Sequence, residues 1–118
     1  MRSRLPDRRP SETMTTQFKG RQIEVTLGLD PRTMAPREVF ATGFKEGTDM
    51  AHTLADACVV ISIALQHGIE PGELAKSLGT VPGFAGDEPA SLIGAILNVL
   101  EHKAPGPKER PPELSRGP

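Results

Sequence analysis

His52 and Asp56 lie four residues apart in "GTDMAHTLADACVV" and share a face of any helix that holds them. A carboxylate in that position can orient an imidazole as a general base. Such a pair needs a nucleophile or substrate within hydrogen-bond reach, and none adjoins it in the sequence. It reads as a surface contact on the least apolar side of the helix. Cys58 follows inside the run "ACVVISIAL". Thiolate chemistry needs an accessible, electropositive setting, so a cysteine in an apolar stripe reads as packing. His67 and His102 each fall in the last turn of an expected helix, where positive charge opposes the dipole. No CxxC or HxxxH spacing is present, so no metal ligand is assigned.

"KEGTD" puts Lys45, Gly47 and Thr48 at a helix start, the arrangement of an anion or nucleotide cradle. Glu46 and Asp49 would repel an anion there, and the segment reads first as a turn and a cap. "GTVPGFAG" could close over a ligand but reads as a connector. No catalytic residue and no cofactor is assigned.

These residues must be held by elements that the hydropathy pattern outlines. "TMTTQF" reads as a strand ending at the turn "KG". In "QIEVTLGL", Ile23, Val25 and Leu27 alternate with Gln22, Glu24 and Thr26, the period of a half-buried strand. "DPRTMAP" is a turn or loop, and "REVFAT" a third strand. Three strands with short connections predict an antiparallel meander.

A helix then runs from a cap at Thr48 or Asp49 to about His67, with Gly68 as its left-handed stop. Met50, Leu54, Ala57, Cys58, Ile61 and Leu65 form its main stripe, and Val59, Val60 and Ile63 a second apolar face. A helix apolar on most sides is expected to be buried on most sides, so it should sit centrally under the helices that follow. "EPGELAKSLG" predicts a short second helix stopped at Gly79. "DEPASLIGAILNVLEHK" predicts a third, capped by Asp87 with Pro89 in its first turn. On it Ser91, Gly94, Ala95 and Asn98 form a strip that would let another helix approach. The fold class is α+β: a small three-stranded meander covered by about three helices, the central one largely buried.

The 118 residues make one domain, read as a body over 13–103 between an Arg/Pro-rich arm (1–12) and a Pro-rich tail (104–118). Neither end has the apolar periodicity that could offset its ordering entropy. With four Phe and no Trp or Tyr, the core must come from aliphatic residues, which favours a homo-oligomer or partner on one face. A net charge of −1 argues against a dedicated nucleic-acid binder. Arg2, Arg4, Arg8 and Arg9 nevertheless make a weak phosphate contact through the arm conceivable. The single cysteine fits a reducing compartment. With no signal-peptide pattern and no run of about 20 apolar residues, the expectation is a cytoplasmic protein without a membrane partner.

The order "IEVTLGL", "EVF", K-x-G-T, "ISIALQHG", "ELAKSL" resembles the TSCPD domain, from about Phe18 to about Leu100. Glu38, Val39, Phe40, Lys45, Gly47, Thr48, Ser62, Leu65 and Gly68 carry the resemblance. That module occurs at the C-terminal end of adenosylcobalamin-dependent ribonucleotide reductases and as small free-standing proteins. The resemblance therefore implies an accessory or binding module whose partner is a ribonucleotide reductase or a nucleotide. Family members usually carry a cysteine where this chain has "TVPG", and another in the Ser-Cys-Pro-Asp element nearest to "GDEPAS" here. Both are missing, so no thiol or metal role carries over. Ribonucleotide reduction also needs three thiols in a large barrel, which one cysteine cannot supply. The chain is accordingly not expected to be catalytic alone. The alternative expectation is a self-associating structural or regulatory protein with no nucleotide link.

Overall fold

A computed structural model describes residues 10–103. The arm arginines and the C-terminal tail lie outside the described residues. Strands β1 (Ser11–Phe18), β2 (Arg21–Leu29) and β3 (Pro36–Thr42) form an antiparallel sheet in the order β1-β2-β3. The first strand begins two residues before Thr13. Lys19 and Gly20 join it to β2 with φ of 51° and 78°, the positive pair that a tight two-residue hairpin demands. The turn into β3 is tied by Asp30, whose carboxylate accepts from Arg32 N at 2.8 Å.

Helix α1 (Asp49–Gln66) follows, then α2 (Pro71–Ala75), strands β4 (Thr80–Gly83) and β5 (Gly86–Pro89), and helix α3 (Leu92–Lys103). One face of the sheet is buried, with Ile23, Val25, Leu27 and Val39 all at most 1% exposed. Leu54, Ile61 and Leu65 of α1 and Ile96, Leu97 and Leu100 of α3 complete the core. The α+β meander with three helices is thus the observed architecture.

Four local expectations are corrected. The segment read as the loop "TVPGFAG" is a two-stranded hairpin, β4 pairing β5 from Thr80↔Pro89 to Gly83↔Gly86. Asp87 and Pro89 are therefore in a strand and do not start α3. Its first turn is held by Ser91, whose hydroxyl accepts from Gly94 N at 3.1 Å. The second helix stops at Ala75, short of Gly79. Finally, α2 and α3 lie beside α1 and not over it, leaving Met50, Val59 and Val60 45%, 55% and 66% exposed. At Gly94 the small strip of α3 also meets β5: a Cβ there would sit 3.1 Å from Pro89 Cβ.

The stop of α1 follows its sequence closely. Gly68 has φ of 91°, Gly68 N donates to Leu65 O and Ile69 N to Ala64 O, the paired bonds of a Schellman cap.

Candidate functional site

The Lys45–Thr48 cluster is a single turn entering α1. Thr48 Oγ1 donates to Lys45 O at 2.7 Å and accepts from Ala51 N at 3.2 Å, so both roles of the hydroxyl are occupied by the backbone. Gly47 has φ of 87°, the left-handed conformation that closes the turn. Upstream, the Arg21 guanidinium donates to Gly43 O at 2.8 Å and stacks 4.5 Å over the Phe44 ring. These contacts make the segment a built helix entry, with Lys45 on its exposed side. Replacing Thr48 by alanine is expected to lower stability by about 1 kcal/mol, read as a shift in the urea midpoint.

His52 and Asp56 both lie on the exposed side of α1, and among the described residues no ion pair or hydrogen bond joins them. Exposed Val59 and Val60 adjoin them on this side. His67 is the exposed C-cap of α1. In the last turn of α3, His102 Nδ1–H donates to Asn98 O at 2.7 Å. Among the described residues no three His, Cys, Asp or Glu side chains gather where a metal could sit. A cavity of about 260 Å³ between α2, the hairpin and α3 is lined by Lys76, Asp87, Asn98 and Glu101 with glycines. Its charged side chains are exposed and hold no buried, unpartnered polar group.

The polar chemistry that is buried sits between α1 and β3. Ser62 Oγ accepts from Val39 N at 3.0 Å and donates to Val39 O at 3.3 Å. Gln66 Nε2 donates to Arg37 O at 3.1 Å, and the Ala41 backbone amide bonds the sulfur of Cys58. Cys58, Ser62 and Gln66 are spaced by four on the helix, while Ala41, Val39 and Arg37 are spaced by two on the strand. Four helical residues rise about 6 Å and two strand residues about 6.7 Å, so the two rows stay nearly in step. Alternation in the sheet turns the backbone groups of Arg37, Val39 and Ala41 away from β2. The helix thereby satisfies an edge that would otherwise be open. Ser62 and Val39 were both among the residues carrying the family resemblance. Sequence reasoning took Cys58 as packing alone and assigned Ser62 and Gln66 no role. The visible signal was three hydrogen-bonding side chains at four-residue spacing within an otherwise apolar stripe.

Burial pushes the Cys58 thiol up to about 11, partly opposed by the Ala41 amide, which favours the thiolate. In the unfolded chain a cysteine titrates near about 8.5. A folded value above the unfolded one means that the native state holds its proton longer. The stability from this group is full below about pH 8.5 and is lost as pH rises toward 11. Urea unfolding over that range should show a decline that is shallower in Cys58→Ala.

Among the described residues no helix is long and apolar enough to cross a membrane. No curated protein and no solved structure matches the chain. A family model does: the TSCPD domain, over residues 2–104.

Proposed function

Because the chain belongs to the TSCPD domain family, which is associated with ribonucleotide reductases, we propose that it acts as an accessory binding module for a reductase and does no chemistry itself. The observation that carries this reading is the employment of its reactive groups. Cys58 is 3% exposed with its thiol held up to about 11, so little nucleophilic thiolate exists at neutral pH. Thr48 is spent on the turn and cap, and His52 and Asp56 are exposed on α1.

Direct nucleotide binding would bring phosphate to Lys45, Gly47 and Thr48. Glu46 and Asp49 flank that turn and oppose an anion there, so a protein surface is favoured as the primary partner. Affinity capture with the full chain under mild conditions tests the proposal. Recovery of an adenosylcobalamin-dependent reductase is the expected result. Recovery of no specific partner, or a thermal shift with nucleotide that Lys45→Glu abolishes, would replace it.

A further inference from the structure

The two edges of the sheet are treated in opposite ways, and the difference points to a second copy of this chain. On β3 the outward backbone groups are bonded by α1, and the strand begins at Pro36 with a register shift opposite at Gly28/Leu29. Those are devices that close an edge. Strand β1 has none of them. Its eight residues pair with β2 in unbroken register from Ser11↔Gly28 to Phe18↔Arg21, with no proline, glycine or lysine and a single charge, Glu12.

Which groups are open follows from one bond. Leu29 N donates to Pro10 O at 2.9 Å, so the even-numbered residues of β1 are the ones bonded to β2. The N–H and C=O groups of Ser11, Thr13, Thr15 and Gln17 then point away from the sheet.

We propose that β1 pairs antiparallel with β1 of a second copy about a two-fold axis at Met14, giving a continuous six-stranded sheet. Only this register gives all four outward residues a partner within the strand: Ser11 opposite the second copy's Gln17, and Thr13 opposite its Thr15. Axes through Thr13 or Thr15 push Gln17 or Ser11 beyond the strand ends, toward residue 9 or the Lys19 turn.

The side chains agree with that register. On the outer face, the Thr13–Thr26 hydroxyl contact at 3.0 Å extends into a threonine row across the interface. On the inner face Glu12 meets Thr16, so no like charges are opposed. The two Met14 side chains meet at the axis, where strands approach most closely. Beneath them a cavity of about 280 Å³, lined by Met14, Asn98, Val99 and His102, gives a methionine room. The net charge of −1 adds little repulsion between copies.

Light scattering of the full chain should return the mass of two chains. Thr15→Pro removes an N–H that β2 does not use, so it should give one-chain mass with an unchanged circular dichroism spectrum. Met14→Cys should form a covalent dimer with oxidised glutathione, whereas Thr16→Cys, placed opposite Glu12, should not. A one-chain mass for the native sequence up to its solubility limit overturns the proposal. So does a two-chain mass in folded Thr15→Pro. Should Thr15→Pro unfold, the cysteine pair decides: cross-linking at residue 14 alone upholds the axis, and cross-linking at 16 or at neither removes it.

Discussion

Leu65→Ala is expected to remove about 2–5 kcal/mol of stability, the cost of emptying a fully buried aliphatic site whose surroundings collapse only in part. Leu65 is 0% exposed and faces the core shared by β2, β3 and α3. The loss is a large share of the roughly 5–15 kcal/mol that holds a typical domain together. It corresponds to a fall in Tm of about 8–40 °C at the roughly 4–8 °C per kcal/mol typical of domains this size. The matched control is Val60→Ala on the opposite side of the same helix. Val60 is 66% exposed, so its truncation should stay within about 0.5 kcal/mol. Similar losses at the two positions would mean that the buried side of α1 is not the one described.

Ser62→Ala is the second large effect, and it separates hydrogen bonding from packing. The substitution removes one oxygen and barely changes shape, yet strands both the N–H and the C=O of Val39. Val39 is 1% exposed and Ser62 7%, so water does not readily replace the hydroxyl. Leaving a buried polar group unpaired costs about 1–3 kcal/mol. Ser62→Thr keeps the hydroxyl and should recover part of the loss, while Ser62→Val, equal to threonine in bulk but without the hydroxyl, should not. Equal urea midpoints for the Thr and Val variants would show that the hydroxyl contributes nothing.

Much of this arrangement was legible because local and tertiary preferences agree. Ile23, Val25 and Leu27 alternate with polar residues and face a core on one side only. Thr48 and Gly68 bound α1 through caps whose geometry demands those residue types. The hairpin over 80–89 was hidden because "TVPG" contains proline and glycine, which argue against a strand, and Val81 is its only strongly β-prone apolar residue. Asp87 and Pro89 then imitated a helix start, with Asp87 four residues before the true cap, Ser91. Val59 and Val60 misled for another reason: hydrophobicity gives a helix faces that can be buried, but not the number of neighbours available to bury them. The edge-capping role of Cys58, Ser62 and Gln66 needed the register of β3, which no periodicity within α1 contains.

The reading of α1 as a clip along β3, with its thiol turned into the sheet, meets its most direct test in the alkylation rate of Cys58. At neutral pH the native chain should remain unmodified by a maleimide over the time in which the urea-unfolded chain reacts completely. Modification of the native chain as fast as the unfolded one would place that thiol in an open cleft, and a reactive site would then have to be sought on this helix.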